Sequence, residues 1–359
     1  MLSKEQIARC LSLPEFSPKF QTHVYTRFSF QEFEGRADIS DISGLSKFQH
    51  LQQVDVSKGK IQSLAALRDL HGLYVLDASN NELVEVLDFE TPDGSNSETS
   101  WTGGECYIGS PLLKANLSHN QIFRVRDLSW FKRLVQLDLS NNKIQEIGDS
   151  LLNLTKLKTL TLANNNLKTC EGMPPFVQNL DLAANALTDL SPLSSLIDLQ
   201  SIVVDKNRLV RLEELSECPL LQHISAKSNW ITSFDIINTL QSLEQLCSIS
   251  LHGNPIQRQL AHYRLRIILR LQNVSVVDGT AVTADEKVKA RVCVGEETEL
   301  RRAVHTEFLP LDLFYDTLPP FKESDDREAT NPMVHYKQAS ESMVSSIVNE
   351  AVSPTSGSS

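Results

Sequence analysis

Apolar and polar positions follow one frame along most of the chain: L-x-x-L-x-L-x-x-N-x-L, with Leu, Ile, Val or Ala at the apolar sites. Its plainest copy is Leu134, Leu137, Leu139, Asn142 and Ile144. Nine copies occur, counting a first one at Leu51, Val54, Val56 and Ile61 where Gly59 stands at the Asn position. From Gly59 to Asn254 the successive steps are 22, 39, 22, 23, 20, 22, 22 and 25 residues, the 39 being one repeat of 22 carrying 17 more. The L-x-L pair alternates inward and outward residues, which predicts a short strand in each copy. After Asn142 the apolar residues Ile144, Ile147, Leu151, Leu154 and Leu157 fall about three apart, a spacing that suits a helical or 3-10 return segment.

A supersecondary unit repeated at this period cannot bury its apolar face alone, so the copies stack and share one core. The expected fold is an α/β, right-handed solenoid with parallel strands about 4.8 Å apart on its concave face. Short helical or 3-10 segments form the convex face. Each buried Leu or Ile contributes roughly 1.5–3 kcal/mol. The polar position of the frame is expected to be structural: the amides of Asn81, Asn120, Asn142, Asn165, Asn185, Asn207, Asn229 and Asn254 would bond the backbone of adjacent coils.

The boundaries follow from where the frame begins, breaks and ends. Residues 1–45 read as a capping region, 46–257 as the solenoid, 258–283 as a C-terminal cap, 284–322 as a charged helix with an apolar docking segment, and 323–359 as a disordered tail. In the first region Ser3 with Gln6 resembles a capping box, and Ile7, Leu11 and Leu13 predict a short amphipathic helix. Residues 20–45 read as an irregular first coil with Phe28, Phe30, Ile39, Ile42 and Leu45 facing in. Tyr263, Ile267, Ile268 and Leu271 have helical spacing, and Val274, Val276 and Val277 read as a short strand. Residues 88–111, rich in Gly, Ser, Thr and acid, predict a projecting loop in which Trp101 and Tyr107 are candidate anchors for a partner.

The chain has 359 residues, 41% of them hydrophobic, and a formal net charge of −11. That balance disfavours nucleic acid or an anionic membrane as the main partner, since both reward Lys and Arg. Six cysteines lie far apart with no C-x-x-C pair, so neither a metal site nor a disulfide framework is expected. The amino terminus makes a poor signal peptide and no segment has the roughly 20 apolar residues of a span. A cytoplasmic, reduced, monomeric protein without cofactor is the expectation. His119, His223 and His252 stand in separate coils, and no G-x-S-x-G, H-E-x-x-H, P-loop or G-x-G-x-x-G run is present, so an enzyme is not expected.

The concave face is the better candidate site. Its first outward column reads Asp55, Asp77, Asn116, Asp138, Thr161, Asp181, Val203, Ser225 and Ser250. The next column reads Ser57, Ser79, Ser118, Ser140, Ala163, Ala183, Asp205, Lys227 and His252, with His223 nearby. Small residues beside an Asp column leave an open acidic groove, which favours a basic helix or peptide of a protein partner.

The frame, together with Asn254, Pro255, Tyr263, Arg264, Asp278, Gly279 and Thr280, resembles the intracellular, phosphatase-regulator-like class of leucine-rich repeats and its C-terminal cap. That resemblance covers about residues 45–285 and implies a protein that acts by binding. The stretches LSKEQIARCLSL, HVY, DISDISGL and HLQQVDVS are similar to the N-terminal part of a leucine-rich-repeat family of ciliary radial spokes. This second resemblance implies a scaffold of the ciliary or flagellar axoneme with axonemal proteins as partners. The alternatives left open are a phosphatase regulatory subunit and a nuclear ribonucleoprotein adaptor.

Overall fold

The computed structural model describes residues 4–17, 22–30, 38–88 and 111–294. Trp101, Tyr107, the apolar stretch 308–321 and the tail 323–359 lie outside the described residues. The chain forms two compact units: one holds the residues up to Gln259 together with Asn273–Thr280, the other Leu260–Gln272 together with the residues from Ala281.

The nine predicted strands are present as β3 (Gln53–Asp55), β4 (Val75–Asp77), β5 (Lys114–Asn116), β6 (Gln136–Asp138), β7 (Thr159–Thr161), β8 (Asn179–Asp181), β9 (Ser201–Val203), β10 (His223–Ser225) and β11 (Ser248–Ser250). We number the coils they open one to nine. Neighbouring strands pair in parallel without a register slip, so that Val54, Leu76, Ala115, Leu137, Leu160, Leu180, Ile202, Ile224 and Ile249 form one inward row. All nine are buried. The fold class expected from the frame is the one observed: a stack of coils whose strands make a single open sheet in sequence order.

The return segments explain the three-residue apolar spacing. In coil one Leu67 N–H donates to Leu64 O, Leu70 N–H to Leu67 O and Leu73 N–H to Leu70 O, at 2.8, 3.0 and 3.1 Å. An i to i+3 pattern repeats every three residues, so a leucine at every third position stays on the core side throughout. Leu64, Leu67, Leu70 and Leu73 are accordingly buried.

Each strand ends after three residues because the chain turns through the left-handed region just before the Asn. Lys58, Asn80, His119, Asn141, Asn164, Ala184, Lys206 and Ser228 all have φ between 54 and 62°, and Gly253 has 78°. In the first eight the turn aims the N–H at the following coil, as in Asn141 N–H to Ala163 O at 2.8 Å, whereas Gly253 N–H donates to Gln257 Oε1 at 3.0 Å. Beneath the turn lies the Asn ladder. Asn142 accepts from Ile122 N–H at 3.0 Å and donates to Leu117 O and Leu139 O, both at 3.0 Å. Asn81, Asn120, Asn165, Asn185, Asn207, Asn229 and Asn254 likewise accept from the preceding coil's backbone and donate back to it.

The N-terminal region differs from expectation. The helix α1 (Lys4–Cys10) stops before Leu11, and residues 11–17 instead form β1 (Leu11–Ser17), antiparallel to β2 (Thr22–Ser29). Pro14 accounts for the stop, because it has no N–H to offer the Cys10 carbonyl four residues back and its ring would clash there. The stretch after it is not irregular either: β2 pairs in parallel with β3 and so extends the sheet by a hairpin. Its alternation of buried Thr26, Phe28 and Phe30 with partly exposed neighbours is a strand period. The inward placement of Phe28, Phe30, Ile39, Ile42 and Leu45 is as expected.

At the other end β12 (Val276–Val277) pairs in parallel with β11, followed by β13 (Thr280–Ala281). Helix α2 (Asp235–Thr239) lies in the return of coil eight, and α3 (Pro255–Gln259) follows the last Asn. In the second unit α4 (Tyr263–Arg270) and α5 (Ala284–Val294) are tied by Arg264, whose guanidinium donates to both Glu286 carboxylate oxygens at 2.8 and 3.1 Å. That guanidinium holds the Glu286 carboxyl below its usual range.

Candidate interaction surface

Asp55, Asp77, Asn116, Asp138, Thr161 and Asp181 occupy the third position of β3 to β8 and are brought into one outward row by the register. The row continues through Val203, Ser225 and Ser250. Every acid in it is half-buried, because each also closes its own turn. Asp55, Asp77, Asp138 and Asp181 accept through Oδ1 from the N–H two residues ahead at 2.9–3.0 Å, and Asn116 does the same at 3.1 Å. A side-chain acceptor bonding the backbone two residues on is an Asx turn, which explains why this position favours Asp or Asn.

The second oxygens divide the row. Asp55 Oδ2 accepts from the Ser29 hydroxyl at 2.8 Å and Asp77 Oδ2 from the Asn116 amide at 3.3 Å. Asp138 and Asp181 have no ion pair among the described residues. The Asp181 carboxyl is pushed up, first by burial and then by the neighbouring charges of Asp205 and Asp138, against the lowering bond from Ala183 N–H. Burial is the main cause, and the like charges of Asp205 and Asp138 add to it.

The second outward column expected from the sequence does not line the sheet. Ser57, Ser79, Ser118, Ser140 and Ala163 are buried under the left-handed turn, so their small size serves close packing and not an open groove. Asp205, Lys227 and His252 stand at this same turn position in coils seven to nine, past the strand ends. Asp205 is committed to coil eight, where its Oδ1 accepts from Ser225 Oγ and Lys227 N–H, both at 2.7 Å. Asp278 plays the same part for coil nine, accepting from Leu251 N–H at 2.7 Å and His252 N–H at 3.0 Å. His223 does lie on the sheet, exposed, at the first position of β10. Of that first outward position the sequence singles out only His223, and Gln53, Lys114, Gln136 and Asn179 are exposed there as well. The position is visible as the residue two places before each Asp.

Cys170 and Cys218 are buried in return segments, and burial pushes their thiols up to about 12 and about 11. Thiols that weakly acidic are not nucleophiles near neutrality.

The geometry now matches a known architecture. Residues 132–174 match the family described as leucine-rich repeats in two copies, and residues 175–298 match that described as leucine-rich repeat. A leucine-rich-repeat protein of Leptospira interrogans superposes with a TM-score of 0.54 at 22% identity, covering 67% of this chain and 57% of that one. The fold is a leucine-rich-repeat solenoid. Among relatives, this solenoid is similar to leucine-rich repeat-containing protein 23 of Bos taurus, 26% identical over 292 residues, which are 80% of this chain and 78% of that protein. It is also similar to Toll-like receptor 2 of Macaca fascicularis, 26% identical over 234 residues, 63% of this chain. The chain spans only 28% of that receptor's length. No helix among the described residues is long and apolar enough to cross a membrane.

Proposed function

We propose that this leucine-rich-repeat solenoid is a non-catalytic scaffold that holds a basic helix of a partner protein across the outward face of its sheet. The observation that carries the reading is the spacing of Asp77, Asp138 and Asp181. Each lies two strands from the next in the row, about 10 Å at the usual strand separation. Cations seven residues apart on a helix also recur every 10.5 Å or so. A helix laid across the strands with Lys or Arg at that interval would meet all three carboxylates.

Replacing these acids with Lys would also break three Asx turns, so the test must keep the acceptor. The triple variant Asp77→Asn, Asp138→Asn, Asp181→Asn removes charge alone. A synthetic helical peptide with Lys at every seventh position should bind the wild-type chain in a salt-sensitive manner and bind the triple variant at least about tenfold more weakly. Equal binding to both would overturn the sheet-face reading.

The cellular setting we infer is the axoneme of a cilium or flagellum. It is supported by the likeness to leucine-rich repeat-containing protein 23 along four-fifths of the chain and by the N-terminal stretches LSKEQIARCLSL and DISDISGL. The tagged full chain expressed in a ciliated cell should decorate the axoneme. Exclusive nuclear signal, or stoichiometric co-purification with a phosphatase catalytic subunit, would reject that setting and leave the binding reading standing.

A further inference from the structure

One edge of the solenoid carries a patch opposite in chemistry to the acidic row. Along the segment after each Asn, one residue bonds the preceding coil: Arg208 N–H donates to Leu187 O and Trp230 N–H to Leu209 O, each at 2.9 Å. Leu209 is buried, so its neighbours Arg208 and Val210 turn outward beside Trp230. Lys206 N–H donates to Lys227 O at 2.7 Å, which sets those two lysines side by side on the same coils. Trp230 is 57% exposed and Val210 45%. Lys206, Arg208 and Arg211 are exposed and have no ion pair among the described residues, and Lys227 only reaches Asp205 at 4.0 Å. The equivalent place holds Arg208 in coil seven and Pro255 in coil nine, so the indole has a cation on one side and the start of α3 on the other.

Nothing in coil formation requires that indole. The bond that seats Trp230 is made by its backbone, and the same place holds Glu82, Gln121, Lys143 and Asn166 in earlier coils. An exposed Trp flanked by free cations, in a chain of net charge −11, is the composition of a binding hot spot. We propose that coils seven and eight form a second docking surface, centred on Trp230, for an acidic extended segment of a partner protein that bears an apolar or aromatic anchor. The anchor would lie against Trp230 and Val210, with the acids on Lys206, Arg208 and Lys227. A polyphosphate fits less well, because it has no apolar group to cover the exposed Val210 and Trp230. This surface is independent of the one proposed above: its cations lie on the turn edge and its partner has the opposite charge.

The test uses the full chain and a labelled twelve-residue peptide of alternating Asp or Glu with Leu and Phe. Saturable binding is expected, weakened by salt, with a blue shift of Trp emission that Trp230→Phe identifies. Trp230→Ala and the double variant Lys206→Glu, Arg208→Glu should each weaken binding at least about tenfold. Asp138→Asn, which touches only the sheet face, should leave it unchanged. Trp230→Gln, the residue type found at this place in coil three, is the second variant should the alanine change unfold the coil. No saturation at millimolar peptide overturns the proposal, as does wild-type affinity in both Trp230 variants. So does tighter binding of an oligouridine, or dimerisation of the chain through Trp230.

Discussion

Coils one to four and coil six close their turns differently from coils eight and nine. In coils two, four and six an Asp on the strand bonds its own turn, as Asp138 does for Ser140. In coils eight and nine the strand offers only Ser225 and Ser250, and the acceptor arrives from outside: from Asp205 in the preceding coil and from Asp278 in the terminal strand segment. The same backbone requirement is met locally in one half and across coils in the other. The difference separates two properties that the sequence merges. An Asp in this column is first an acceptor, and it is also a charge open to a partner where no basic side chain among the described residues pairs with it, as at Asp77, Asp138 and Asp181.

The largest effect should come from the feature both halves share. Asn142→Leu removes the acceptor for Ile122 N–H and the donor to three carbonyls, and should cost about 2–4 kcal/mol, read by denaturant unfolding. Asn229→Leu in the other half should cost a similar amount. A clearly smaller loss there would mean that the ladder matters less where capping crosses coils. Next, Asp278→Ala strands two N–H groups while Asp138→Ala strands one, so the first should lose about 1–3 kcal/mol and the second roughly half as much. Equal losses would erase the distinction.

What the sequence disclosed depended on which positions repeat. The positions of Leu137 and Leu139 recur in every coil and that of Asn142 in all but the first, so strand, core and ladder are legible from the period. Phe28 and Phe30 do not belong to the frame, and the hairpin of β1 and β2 was missed because its signal is alternation over eight residues with no Asn or Leu marker. Ser57 and Ser79 were read as surface for a different reason. Strand alternation was carried one residue past the point where the left-handed turn at Lys58 and Asn80 ends it. Asp278 contributes to coil nine from 26 residues away, a contact that no local pattern announces.

Two smaller effects probe the seam between the halves. Ala184, in coil six, holds φ at 54° without the glycine or asparagine that this conformation favours. Ala184→Gly should therefore stabilise by about 0.5–1 kcal/mol, visible as a raised Tm. The same change at Gly253's equivalent Asn141 should gain less, since Asn already tolerates the turn. Asp181→Asn is the smallest. Its carboxyl sits above the ordinary range in the folded chain, so the charged form opposes folding near neutrality and the native state gains stability as pH falls through the raised value. The amide should raise Tm slightly at pH 7, and that advantage should vanish below about pH 4, where the unfolded carboxyl is protonated too. A Tm gain that persists in acid would assign the effect to packing.

The ladder also has a direction. Each Asn serves the coil before it, so no turn is complete until the next repeat has been made. On the ribosome, where the N-terminal end emerges first, maturation must therefore trail synthesis by one repeat of about 22 residues. The final repeat waits for Asp278 to arrive and seal it.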